Sequence, residues 1–473
     1  MKGRRIIGLG LALIMLVLAG CSGSTVTKTD PAKDTKQAPA AAATGEFDWK
    51  RESGKSIHVL LNKHPYAEWV IKNLPQFESM TGIKVTYEVI PEQNYFDKVT
   101  VSLSSGSGTV DAFMTGAYQV WQYAPPGYMQ PLEDFINNKS LTSPDWDFND
   151  FYPNIMGALR WSLKAGEAVG TGHQWAIPMA FETNVLMYRK DLFEKHNIKV
   201  PKTMPELYET AKKLNNIDGS GIAGIAVRGS RNWGTIHPGY MTTFANYGAK
   251  DFNDKLEFTG GSDKGVAMTD LWAKMIKEAG PKAWSQYTWY EAGSDFGAGK
   301  AAMLLDADIL GYFQDVEGGS PLAGQNKIAW APPPVPEGHS GQVGANLWIW
   351  SLAMNSKSTK KDATWLFMQW ATSKEIDLQG ALQAGTVDPA RKSVWENADF
   401  KKKLATKPGY YETFQTIING VTIHFTPQPK FFETTTEWAA TLQDIVGGKD
   451  TKQAMADLTK KINSMMDQAG LKK

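Results

Sequence analysis

The residues of this 473-residue chain best typed and spaced for chemistry sit just beyond apolar, strand-like runs. Arg228 and Trp233 flank a Gly-rich turn after the run 224–227. Asp306 and Asp308 follow 301–305, Tyr118 and Trp121 follow 110–114, and His64 follows 56–61. Trp348 and Trp350 alternate along 347–354, so they face one side of a strand. Carboxylates accept hydroxyl hydrogen bonds, a guanidinium donates forked ones, and indole rings stack on flat apolar faces. Such a set can hold a ligand that carries hydrogen-bonding groups and a flat apolar face. Structural alternatives stay open: an ion pair for Arg228, helix caps for the two aspartates, and a core role for one of the paired tryptophans.

Bond-breaking motifs are missing. The seven histidines never fall at zinc-hydrolase spacing, no Gly-x-Ser-x-Gly elbow occurs, and no phosphate-binding P-loop is present. The run 219–224 matches Gly-x-Gly-x-x-Gly but follows a helix and precedes a strand, the reverse of a dinucleotide site, and is expected to be a turn. Residues 145–149 start like a calcium loop, yet Asp150 and Met156 stand where glycine and glutamate belong. No metal or cofactor is expected. A glycosidase needs only two well-placed carboxylates, so an exported carbohydrate-active enzyme remains the alternative.

The elements that must position these residues follow an α/β rhythm. Runs 56–61, 83–89 and 110–114 are strand-like, with helical patterns at 67–80 (Pro75 marking a kink or break) and 95–104 between them. The rhythm restarts at 184–188 and predicts a helix opened by the capping signature Thr203-Met204-Pro205-Glu206. It continues through 327–330, 347–354, a helix over 362–372 and a helical last sixty residues. The fold class is therefore α/β with a largely parallel sheet, in a chain long enough for two lobes. Fifty basic residues balance 49 acidic ones, which gives no argument for nucleic acid. Seventeen tryptophans exceed what cores alone require, and about a quarter are expected to meet a ligand.

Cys21 is the single cysteine, so disulfides within the chain are excluded. Basic residues Lys2, Arg4 and Arg5 and an apolar run 6–18 precede it, the order of a secretory signal too short to span a membrane. Leu18-Ala19-Gly20-Cys21 resembles the bacterial lipobox, which implies lipidation of Cys21 and attachment to the extracytoplasmic face of the cell membrane. Residues 1–20 are then the signal peptide. Residues 21–54, rich in Ser, Thr, Ala, Lys and Pro, form a tether reaching roughly 30 Å.

The stretch Pro178-Met179-Ala180-Phe181-Glu182-Thr183-Asn184-Val185-Leu186-Met187-Tyr188-Arg189-Lys190-Asp191-Leu192-Phe193 resembles family 1 of the extracellular solute-binding proteins, the sugar receptors of ATP-driven importers. Gly299-Lys300-Ala301-Ala302-Met303, the helix from Asp362 to Trp370 with Thr372-Ser373-Lys374-Glu375, Val227-Arg228-Gly229 with Trp233-Gly234, and 347–353 agree, in the family's order. The last two look like a branch that includes sorbitol/mannitol-type receptors.

The resemblance, over about 56–465, implies a two-lobe periplasmic-binding-protein-like fold of class II type, with hinge strands between mostly parallel sheets. Lobe one would comprise 56–178 and 333–384, and lobe two 179–332 and 385–473. It further implies a monomer that closes on a carbohydrate and delivers it to the transmembrane subunits of an ABC permease. A sensor without transport is the other non-enzymatic reading. Glu182, at the first crossover, matches a ligand-binding acid, and Arg391, after Asp388-Pro389, lies in a segment the polyol branch also carries. The segment 283–290 is more aromatic than the family pattern and points to a pyranose or oligosaccharide rather than a linear polyol.

Overall fold

The computed structural model of the protein describes residues 45–472, so the signal segment and Cys21 lie outside the described residues. The fold begins before the expected tether ends: Phe47 and Trp49 pack against the core, and Arg51 donates to the Ser140 carbonyl. Two aromatic rings within three residues are enough apolar surface to dock what composition alone assigns to the tether.

Strand β1 (Ser56–Asn62) is nearly continuous apolar chain and pairs in parallel with β2 (Lys84–Ile90) and β3 (Ala112–Thr115). The helix Pro65–Thr81 links β1 to β2, with proline at its first position and Gly82 at φ 73° closing its end. Pro75 does not break it. One hydrogen-bond rung is lost there, while Trp69, Leu74 and Phe77 anchor the helix on both sides of the proline. A small ribbon, β4 (Arg160–Trp161) with β5 (His173–Gln174), precedes the long strand β6 (Ala176–Arg189).

β6 is the central element. Its first half pairs antiparallel with β9 (Leu347–Met354), which pairs in turn with β3. Its second half pairs antiparallel with β7 (Met303–Ala307) and β8 (Ile328–Ala331). One seven-stranded sheet therefore runs through both halves of the fold, and β6 carries the chain from one to the other. A third crossing lies beside it, where the Phe181 amide donates to the Asp388 carbonyl at 3.1 Å and Ala180 bridges Pro389. Parallel pairing holds among β1–β3 and in the bridges Ala223–Ala301 and Ala226–Leu304, and the crossing strands run antiparallel to it.

The capping signature forms as expected: the Thr203 hydroxyl and the Glu206 carboxylate close the start of helix Met204–Leu214. The Gly-x-Gly-x-x-Gly run is a turn, with Gly219 at φ 70° and Gly221 at φ 74°. Asp147, from the calcium-like stretch, pairs with Lys374 at 2.8 Å, and no cluster that could hold a metal occurs among the described residues. Nor is any helix among them long and apolar enough to cross a membrane. Six tryptophans (121, 161, 272, 365, 395 and 438) are wholly buried in the core.

Candidate functional site

A cleft of about 620 Å³ opens where the crossing strands meet the two halves. Its floor comes from β6 and β9. Alternation along β9 sends Trp348 and Trp350 to the same side, where their rings meet edge to face at 5.1 Å. The Trp350 indole donates to Glu182 Oε1 at 3.1 Å. Burial pushes the Glu182 carboxyl up to about 8, opposed by the charge of Arg228 and assisted by that of Glu92. His64 Nε2 lies 4.0 Å from the same oxygen, and burial holds this imidazole down at about 3. Burial thus disfavours the charged form of both groups.

The opposite wall starts at the end of the turn after 224–227. Arg228 makes a forked pair with Asp306, Nη2 to Oδ1 at 2.6 Å and Nε to Oδ2 at 2.9 Å. Its Nη1 donates to the Gly234 carbonyl at 3.2 Å and to His237 Nε2 at 3.0 Å. Burial and the adjacent guanidinium hold His237 well below the usual imidazole range, leaving a neutral ring with Nε2 free to accept. Arg228 is thus ion-paired and also lines the cleft. Trp233 lines it too, its ring 5.4 Å from that of Trp348.

The remaining candidates stand behind the cleft and form none of its lining. Asp306 is fully buried beneath Arg228 and orients it. Asp308 accepts from the amides of Thr183 (3.0 Å) and Ile309 (3.0 Å), tying β6 to the start of helix Asp308–Asp315. Tyr118 is buried against Phe431 at 4.5 Å, with its hydroxyl donated to the Leu347 carbonyl, and Trp121 packs on the same phenylalanine. Arg391 is fully buried, donating to the Thr372 carbonyl at 2.8 Å and to Asp150 at 3.3 Å above the ring of Phe151. The third crossing turns this arginine away from the cleft, so the expectation drawn from its segment is not realised at the wall.

Several lining residues escaped sequence reasoning. Glu92, Phe96 and Asp97 come from the first turns of helix Glu92–Ser104, and Phe96 stacks with Trp350 at an interplanar angle of 3°. The signal was available, since this helix follows the carboxyl end of β2, where α/β folds place ligands. Asn232, Leu310 and Phe313 join from the far half. The aromatic segment divides: Trp284 and Tyr287 are buried supports, and Trp289 and Tyr290, flanked by Thr288 and Glu291, reach the cleft. Four of the seventeen tryptophans (233, 289, 348 and 350) line it.

Two α/β halves joined by crossing strands, with an aromatic and carboxyl-bearing cleft at the joint, define a two-lobed ligand-capture fold. The chain belongs to the bacterial extracellular solute-binding proteins, whose family profile matches residues 63–377. It is 41% identical to the erythritol/L-threitol-binding protein of Mycolicibacterium smegmatis, over 89% of this chain and 88% of the relative. It is 30% identical to the mannitol-binding protein of Pseudomonas aeruginosa, over 63% and 64%. In fold it is similar to a solute-binding protein of Agrobacterium vitis S4 solved with D-mannitol (TM-score 0.74, 24% identity, 88% of this chain and 99% of that one). It is likewise similar to one of Agrobacterium radiobacter K84 solved with ribitol (TM-score 0.75, 22%, 87% and 99%). The family binds solutes and works outside the cytoplasm.

Proposed function

We propose that this protein captures a small polyhydroxylated carbohydrate of the sugar-alcohol class and delivers it to an ABC import permease. The observation that carries the reading is the cleft floor: Glu182 held by the Trp350 indole, in a cleft that Trp348, Trp233 and Trp289 also line. Acceptors of that kind satisfy hydroxyls, and indole faces cover C–H surface. The erythritol/L-threitol-binding relative at 41% identity favours a polyol over the pyranose or oligosaccharide that the aromatic segment suggests. Two of that segment's aromatics support the fold from within, which removes much of the argument for a larger ligand.

Ligand touching Glu182 and the tryptophans on one side and Arg228 and Trp289 on the other favours the closed arrangement, because only that arrangement makes both sets of contacts. The lobes are 56–178 with 333–384, and 179–332 with 385–473. Lipid on Cys21 would keep the monomeric receptor at the membrane beside its permease, without catalysis by the chain itself.

The test is a thermal-shift and calorimetric screen of the chain lacking its signal peptide and Cys21 against tetritols, pentitols, hexitols, monosaccharides and maltodextrins. Ligand at about 100 times Kd adds roughly 2.7 kcal/mol to stability. A polyol that stabilises the protein and is recovered unchanged supports the reading. Stabilisation by other sugars alone, or consumption of the ligand, refutes it.

A further inference from the structure

The cleft carries four carboxyl groups, Glu92, Asp97, Glu182 and Glu291, and a single guanidinium, that of Arg228. That guanidinium is already neutralised by Asp306, with which it shares three hydrogen bonds. Both histidines of the wall are uncharged at neutral pH. Among the described residues Glu92, Asp97 and Glu291 have no cationic side chain within ion-pair distance. The net field in the cleft is therefore negative, and low-dielectric aromatic walls strengthen it.

Glu182 sits desolvated among these groups. It is 8% exposed, and one of its oxygens accepts from Trp350 while the other has no protein partner among the described residues. The groups facing it are His64, Glu92, Arg228, Asp306 and Asp308, of which three are acids. Burial favours its protonated form, with the charge of Arg228 opposing and the three acids assisting, and burial likewise raises Glu92 against the same guanidinium. A site under this strain repels a second anion and gains by receiving a cation. Beside the carboxyls stand Phe96, Trp289 and Trp350, whose ring faces attract positive charge as well as C–H surface.

We infer that the cleft selects its ligand by charge, accepting neutral polyols and their amino-deoxy analogues and rejecting polyols oxidised to the acid or phosphorylated. The inference rests on the polyol reading above and names the class within it. Rejection by like charge also serves an importer of an unmodified polyol, since oxidised and phosphorylated forms keep most of its hydroxyls and differ from it in charge.

Titration calorimetry at pH 7 and low salt tests it with two matched series. One is erythritol, erythronate and 1-amino-1-deoxyerythritol, and the other is D-mannitol, D-mannonate and 1-amino-1-deoxymannitol. In the series whose polyol binds, the acid is expected to bind more than tenfold more weakly than the polyol, and the amine no more weakly. Asp97→Asn, an exposed change that removes one charge from the wall, should narrow the gap between polyol and acid by two- to fivefold. An acid within tenfold of the polyol, or an amine weaker than it, overturns the inference while leaving the polyol reading intact. If no member of either series binds and no polyol of the stability screen does, the polyol reading itself falls, and charge selection among polyols falls with it; a polyol found only in that screen takes the place of erythritol in a matched series judged by the same limits.

Discussion

Trp350 stands in register opposite Ala180, yet its indole N–H reaches Glu182, two residues further along the facing strand, at 3.1 Å. The bond fixes which oxygen of Glu182 is occupied and which is turned to the cleft. It also joins the two crossing strands through a side-chain contact, so Glu182 is held to β9 as well as to its own strand. Trp350→Phe keeps the ring against Phe96 but removes the donor. A net loss of about 1–2 kcal/mol in polyol binding is expected, roughly 5- to 30-fold in Kd. Glu182→Ala should abolish measurable binding and leave the melting temperature of the free protein within a few degrees. Unchanged affinity in the alanine variant would take Glu182 out of the site.

The raised proton affinity of Glu182 makes stability depend on pH with a definite sign. Burial pushes its carboxyl up to about 8 in the fold from the ordinary 4.5 of an exposed glutamate, so the folded chain keeps a proton that the unfolded chain gives up. The contribution is complete below about pH 4.5 and is lost as pH rises through 8. At 1.36 kcal/mol per unit, the ceiling for a fully desolvated carboxyl is about 5 kcal/mol, and access of water to the cleft lowers it. Glu182→Gln cannot titrate. Relative to the native protein, this variant should therefore gain stability between pH 6 and 9 in denaturant melts without ligand. Parallel stability curves for the two proteins across that range would show that Glu182 titrates normally.

Arg228 and Asp306 form a buried ion pair at the cleft wall, with 8% and 0% of their side chains exposed. Removing one partner leaves an uncompensated buried charge. Asp306→Ala should cost about 3–5 kcal/mol in stability, and binding should fail with it. The double change Arg228→Met with Asp306→Leu removes both charges and is expected to recover stability to within about 1–2 kcal/mol while binding stays lost. Chemical denaturation and calorimetry on the two variants separate the roles. Binding retained by the stable double variant would confine Arg228 to structure.

Much of this was legible in the sequence where a local rule acts alone. The capping box at Thr203 and Glu206 depends on four consecutive residues, and β1 is recognisable because a buried strand is a short apolar run. Trp348 and Trp350 were paired by strand alternation alone. What stayed hidden depends on where the chain goes next. Arg391 lies in a segment that resembles the polyol branch, but the third crossing buries it against Asp150 and Thr372. Glu92 and Asp97 look like ordinary solvated helix charges until the end of β2 aims their helix at the cleft. Pro75 forecasts a break that packing on both sides overrides. Phe47 and Trp49 show the converse, two apolar rings docking a stretch whose neighbours lack them.

The last prediction concerns a residue that touches no ligand. Gln443, near the end of helix Phe431–Val446, donates to the carbonyls of both Gly229 (2.5 Å) and Ser285 (2.8 Å), and its oxygen accepts from Arg231 at 2.7 Å. Those carbonyls belong to the two loops that present Arg228 with Trp233 and Trp289 with Tyr290. The loops are also tied directly, since the Gly229 and Ser230 amides donate to the Tyr287 carbonyl and the Trp284 indole donates to the Arg228 carbonyl. Gln443 is thus a positioning residue that sets the spacing between the two parts of the wall. Gln443→Met keeps the volume and removes both donors, at about 1–3 kcal/mol for the carbonyls left unpaired. The expected result is a three- to tenfold weaker Kd for the polyol, with faster amide exchange confined to 229–234 and 285–291. Gln443→Glu, which keeps the acceptor for Arg231 but not the donor, should behave like methionine. If affinity holds while stability alone falls, the glutamine is a structural strut and the loops keep their spacing without it.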